Sequence, residues 1–223
     1  MKVTFSNLIF ALLSTLVLLA IAGAQQPKST ETQTDPPKKN ARPAELAATK
    51  SSEPFDGASV EKMAQQCVTL QTEAGNIVIE MLPDSAPENV RNFLNLAATG
   101  KLDTTTFSRI VKDFVIQGGN LSTSEKWGIE LMKRMMHKLP DEPSLIKHVR
   151  GIVSMARPNE PNSATTSFFI LVADGSNLDG KFSAFGRVTS GMGVVDGINH
   201  APTDGEKPSK PVHITRAIAA PCQ

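Results

Sequence analysis

A mainly β fold, closed into an antiparallel sheet and carrying two or three helices, is what the sequence predicts, on three observations. Fifteen Gly and fifteen Pro in 223 residues supply many turns. Beyond residue 66 the apolar residues fall in short runs, several of them alternating with polar ones. The helical stretches are too few to alternate with the strands as βαβ units require. A sheet closed on itself is then the natural way to protect many short edges.

The elements follow in order. Residues 1–24 read as a secretory signal peptide. Lys2 is the only charge before Lys28, Leu8 to Ala22 is apolar apart from Ser14 and Thr15, and Ala22-Gly23-Ala24 is a small-x-small cleavage pattern. An uncleaved membrane anchor is the alternative, but the run is short for a span of about 20 residues. Residues 25–66 read as a flexible polar linker, with Leu46, Phe55, Val60 and Met63 as the only bulky apolar residues. Ser59 to Gln66 has room for a turn or two of helix. The folded domain is expected over 67–223.

Within it, Val68 and Leu70 alternate with Thr69 and Gln71, and Ile77, Ile79 and Met81 with Val78 and Glu80. Glu73-Ala74-Gly75-Asn76 between them predicts a hairpin. Ser85-Ala86-Pro87-Glu88 is a capping-box pattern, and Val90, Phe93, Leu94 and Ala97 form a helical stripe that Gly100 can close. A strand-like stretch runs from Thr105 to Gly119. Ser122 to Leu139 predicts a helix with Ile129, Met132, Met136 and Leu139 packed on the body. Short strands are expected at 151–156, 168–173, 184–188 and 212–220, and a small helix at 191–199.

Several chemistries are excluded. Lys+Arg (23) nearly cancels Asp+Glu (22), so there is no basic excess for nucleic acid. The four His are scattered and read as surface or capping residues, with no HExxH pair. Two Cys cannot build a Cys-only zinc site, GxSxG is absent, and there is no Tyr. Gly118-Gly119 lacks the pattern of a phosphate loop.

One segment stands out: Thr106-Phe-Ser-Arg109-Ile-Val-Lys-Asp-Phe114-Val115-Ile-Gln117-Gly-Gly-Asn120. Phe107, Arg109 and Gln117 are all odd-numbered and would share one face along a single strand. An Arg in such surroundings either pairs with an acid or serves a function, and the residues alone leave both open. The segment resembles the cyclophilin signature, an Arg followed by Phe and then Gln-Gly-Gly. Gly151-Ile-Val-Ser-Met-Ala-Arg157, Asn162 to Ile170, Leu178-Asp-Gly-Lys181 and Phe185-Gly-Arg-Val188 resemble further blocks of that family in the right order, as do Asp84 to Pro87 and Asn92 to Leu94. The similarity spans about residues 67–219.

The resemblance implies a closed eight-stranded antiparallel β-barrel capped by two helices, with peptidyl-prolyl cis/trans isomerase activity at a pocket on its outer face. Carried over by motif, Arg109 is the catalytic guanidinium and Gln117 its polar partner. Phe114, Phe169 and Leu178 form the proline pocket, with Val115 beside them. Ala156 and Arg157 meet the substrate backbone and the neighbouring residue. Ser167, Asn177 and Phe182 fill the other substrate positions, where Gln, an aromatic and His are usual. No cofactor or metal is implied. The expected partners are proline-containing polypeptides, with no nucleic acid, no membrane after signal removal, and a monomeric chain. The implied role is folding of exported proteins in the periplasm or outside the cell. The alternative is a module that holds proline-containing segments with little turnover. Because the family's first and last strands are antiparallel neighbours, Cys67 and Cys222 are expected to form a disulfide.

Overall fold

The computed structural model describes residues 53–223; the expected signal peptide and most of the expected linker lie outside the described residues. Among the described residues are ten strands and four α-helices. An eight-stranded antiparallel sheet runs in the order β10-β1-β2-β7-β5-β6-β4-β3. Its strands are β1 (Gln66–Thr72), β2 (Gly75–Met81), β3 (Arg109–Val111), β4 (Val115–Gly118), β5 (Ile152–Met155), β6 (Phe168–Leu171), β7 (Ala184–Ser190) and β10 (Ile214–Pro221). A two-stranded ribbon, β8 (Thr203–Asp204) with β9 (Lys207–Pro208), precedes the last strand.

The sheet curls but does not close, which corrects the expected barrel. Its edges β3 and β10 form no ladder with each other. The gap is spanned by irregular backbone: Thr104 and Phe107 donate to the carbonyls of Ile214 and Val212, and Ile214 donates to Thr105. Pro211, just before these residues, has no N–H to extend a ladder, and Thr104 sits at φ 61°, outside strand geometry.

One hairpin and one helix match their sequence patterns closely. β1 and β2 pair from Cys67↔Glu80 to Thr72↔Gly75. In α2 (Pro87–Ala98) the stripe Val90, Phe93, Leu94 and Ala97 is buried. Phe93 meets Phe168 edge-on at 5.2 Å and Phe185 at 4.9 Å, in the middle of the main core. The expected capping box is not used. Glu142, 54 residues beyond Glu88, accepts from the backbone N–H groups of Glu88 and Asn89 at 3.0 and 2.9 Å. A carboxylate at a helix N-terminus satisfies orphan donors and meets the positive end of the helix dipole. Glu142→Ala is expected to cost about 1–2 kcal/mol, the range of a lost N-cap, read as a lowered denaturation midpoint with turnover retained.

Two expectations fail for want of tertiary information. The helix predicted from Ser122 begins as a 3₁₀ turn (Leu121–Thr123) and becomes α3 only at Ile129–Met135. Leu131 is its buried residue, whereas Ile129 and Met136 are 66% and 75% exposed. Ile129, Met132 and Met136 of the expected packed stripe therefore face solvent, with Trp127 beside them, and only Leu139 enters the main core as expected. Residues 53–66, assigned to the linker by composition, pack on the body. Phe55 and Met63 enter the main core, and α1 (Val60–Ala64) starts at Ser59, whose hydroxyl accepts from Lys62 N–H. Cys67 and Cys222 are bonded, with Cα atoms 4.9 Å apart. α4 (Met192–Asn199) covers the predicted small helix. No helix of the described residues is long and apolar enough to cross a membrane.

Candidate active site

Strands β4, β5 and β6 are buried along nearly their whole length, so both faces of the sheet are covered there. Alternation sorts their residues. Ile110, Ile116, Val153, Met155, Phe168 and Ile170 enter the main core. Val115, Phe169, Leu171, Ile152 and Ala184 form a second, smaller cluster, joined by half-buried Phe114, Ala156, Leu178 and Phe182. Residues paired across antiparallel strands share a face. Arg109↔Gln117, Gln117↔Phe169 and Phe169↔Ser154 therefore make one row that runs from the β3 edge over the second cluster.

The stretch 105–119 is thus a hairpin and not one strand. Asp113, at φ 56°, turns the chain between β3 and β4. Buried Asn199 of α4 holds the turn: its Nδ2 donates to the carbonyls of Val111 and Val115, and its Oδ1 accepts from Asp113 N–H at 2.9 Å. This fixes Phe114. Phe107, expected beside Arg109, lies in the main core against Phe168. The Gly118-Gly119 pair serves packing. At Gly119, φ is +78°, and a Cβ would lie 2.5 Å from the Thr166 carbonyl oxygen.

A cavity of about 450 Å³ opens beside the row, lined by Arg109, Gln117, Ala156, Arg157, Ser163 and Ser167 together with Pro158 and Thr165. The residues expected from the resemblance divide between this polar cavity and the second apolar cluster, except Asn177. Asn177 is exposed in the 3₁₀ turn Ser176–Leu178, and its carbonyl accepts from Lys181 Nζ. Arg157 is already engaged: it pairs with Asp141 at 3.0 Å, donates to the Lys181 carbonyl, and lies over the Phe182 ring at 5.1 Å. No residue of 122–139 lines the cavity.

Of the two readings left open for Arg109, the structure shows the pairing with an acid. Its Nη1 donates to Gln117 Oε1 at 3.2 Å, and its Nε and Nη2 donate to the two oxygens of Glu206 at 2.6 and 3.2 Å. The guanidinium holds the Glu206 carboxyl below the usual carboxylate range. Sequence reasoning missed Glu206, which has no local signal. It also missed Ser163 and Thr165, which precede β6 in irregular backbone where no period of two applies. Gly175 was missed too: a Cβ there would lie 2.9–3.2 Å from Leu171, Phe114 and Leu178, so the apolar cluster closes over bare backbone.

The loop bearing Leu178 is anchored by His148, which is buried and not at the surface as expected. Asp179 accepts from His148 N–H at 2.8 Å and from its Nδ1 at 3.2 Å, and Gly175 N–H donates to the His148 carbonyl. Burial, opposed by Asp179, lowers the imidazole pKa, and the His148 backbone N–H is the largest of the groups lowering that of Asp179. The unfolded chain therefore binds a proton on His148 that the folded chain refuses. Stability from this residue is complete above the ordinary imidazole range of about 6.5 and is lost as pH falls toward the lowered value. A second loss, from Asp179, follows below about 4. The melting temperature is expected to fall between pH 7 and pH 5.5, and to do so less steeply in His148→Asn.

Comparison with known proteins places this geometry. The family model described as cyclophilin type peptidyl-prolyl cis-trans isomerase/CLD matches residues 67–219. The chain is 40% identical over 159 residues to peptidyl-prolyl cis-trans isomerase cypE of Dictyostelium discoideum, covering 70% of this chain and 99% of that protein. It is 36% identical over 151 residues to a peptidyl-prolyl cis-trans isomerase of Acinetobacter baylyi, covering 65% of this chain and 78% of that one. A cyclophilin type isomerase of Cryptosporidium parvum, solved in the presence of the dipeptide Ala-Pro, superposes with TM-score 0.61 at 29% identity. That match covers 68% of this chain and 97% of the other.

Proposed function

The chain belongs to the cyclophilin-type peptidyl-prolyl cis-trans isomerase family and is an isomerase of that type, and on this footing we propose that Arg109 and Gln117 carry the reaction on proline-containing segments of exported proteins. The supporting observation is the row itself: Arg109 and Gln117 are register partners, hydrogen-bonded at the mouth of a cavity, and Phe169 continues the row into an apolar cluster.

The peptide C–N bond has partial double-bond character, with a rotation barrier of about 18–20 kcal/mol. Twisting it leaves the prolyl nitrogen pyramidal, with a localised lone pair. A guanidinium donor aimed at that nitrogen binds the twisted state better than either planar one. Phe114, Val115, Phe169 and Leu178 grip the ring and keep water from competing for the donor. Gln117 holds Arg109 in place, and Ala156 and Ser167 border the neighbouring substrate backbone. Shortening isomerisation from about 100 s to about 1 ms is five decades, or roughly 7 kcal/mol of barrier. Positioning and one charge–dipole contact are of that order.

Export is supported by the apolar N-terminal run and by the Cys67–Cys222 bond, since disulfides persist in oxidising compartments. Isomerisation of a panel of Xaa-Pro peptides tests the activity, with acceleration that saturates with peptide as the expected result. A mature N-terminus at Gln25 in the natural protein tests the export. A second reading, retention of unfolded segments, is favoured by the exposed Trp127, Ile129, Met132 and Met136. It would show as suppressed aggregation of a client that contains no proline.

A further inference from the structure

Glu206 is separated from Arg109 by 97 positions and lies in the turn between β8 and β9. Its placement is firm. Its backbone carbonyl accepts from Ile110 N–H at 2.8 Å, one residue along β3 from Arg109, and Ser209 N–H donates to the Pro202 carbonyl across the base of the ribbon. The ribbon is thus tied to the strand that bears the guanidinium. From there the carboxylate takes the Nε and Nη2 donors of Arg109 in a two-point contact while Nη1 reaches Gln117. Of the five guanidinium N–H groups, three are engaged, leaving one on each Nη.

An unrestrained arginine samples many rotamers, and ordering it on substrate binding would be charged against the reaction. A planar fork held by a carboxylate has already lost that freedom. We propose that Glu206 is a positioning residue for the isomerisation: its carboxylate holds the Arg109 guanidinium by one edge, so that the remaining Nη donors are oriented before substrate arrives. The proposal rests on the reading of Arg109 as the donor to the prolyl nitrogen.

The test uses the whole chain and a proline-containing peptide, with kcat and KM measured separately. Glu206→Gln, close to the same shape, is expected to lower kcat/KM about tenfold, almost wholly in kcat, because misorientation acts on the transition state. Glu206→Asp, which keeps two acceptor oxygens, is expected to recover part of the loss. Melting temperature should not move, since the two side chains are 44% and 55% exposed and such pairs add little stability. Exchange of the Arg109 Nε–H with water should quicken in Glu206→Gln, a change that loss of some unrelated structural role would not produce. In an Arg109→Ala background Glu206→Gln should remove nothing further.

Undiminished kcat/KM in Glu206→Gln, with Arg109→Ala impaired, would overturn the clamp and leave the assignment of Arg109 standing. An equal loss in both backgrounds would overturn it as well, because Glu206 would then act elsewhere. Full turnover by Arg109→Ala would remove the assignment and the clamp together.

Discussion

Arg109→Ala is expected to lower kcat/KM by about two to three orders of magnitude, the range seen when one preorganised donor to a developing charge is removed. The fold should survive, because the side chain is substantially exposed and its partners Glu206 and Gln117 can both turn to water. Arg109→Lys is expected to remain close to Ala. An ammonium is a point charge and cannot present three donors in one plane to the Glu206 carboxylate and the Gln117 carbonyl oxygen together. Wild-type turnover in either variant would sink the proposed mechanism. The measurement is isomerisation of a Xaa-Pro peptide at substrate concentrations well below KM, beside a denaturation curve for each variant.

Loss of the Cys67–Cys222 bond carries the largest expected effect on stability. The bond joins residues 155 positions apart. The chain-entropy account gives about 5 kcal/mol for so long a loop, an upper figure because residual structure in the unfolded chain reduces it. Locally, β10 is an edge strand held on β1 from Gln66↔Pro221 inward, and the bond pins its last turn of register. Cys67→Ser with Cys222→Ser, or reductant, should lower the denaturation midpoint and raise the exchange of amides in β10. Turnover should not change, since the bond lies at the Pro221 end of β10, whereas the segment leading into β3 and Arg109 meets the opposite end at Ile214. A midpoint insensitive to reductant would contradict this account.

What could be read from the chain, and what could not, divides by distance along it. Val90, Phe93, Leu94 and Ala97 announce α2 because a helix brings residues three and four apart onto one face. The continuous apolar run Phe168 to Leu171 marks a strand covered on both sides. Arg109 and Gln117, which the structure pairs, fall within one short, local motif. Three of the failures are long-range. Glu142 caps a helix whose own Ser85 does not, Glu206 meets Arg109 from the far end of the domain, and Asn199 clamps a turn more than eighty residues before it. Spacing holds no trace of such pairings. Ile129, Met132 and Met136 have the period of a packed stripe, but period says only that residues share a face, not that anything covers it. Phe55 and Met63 were lost by averaging: two apolar anchors in a polar stretch leave its composition looking like a tether.

The sheet that carries Arg109 on one side and the four packed Phe rings on the other separates two kinds of heritable change. Replacements on the inward side alter the packing of the core and hence how long the molecule lasts, whatever peptide it meets. On the proposed reading of the cavity, replacements on the outward side, among Ser163, Thr165 and Ser167, would alter which peptides are served while the inner Phe packing stays as it is. On that reading, durability and choice of peptide can change independently in a lineage. The departures from family pattern at Ser167 and Asn177 are of the outward kind.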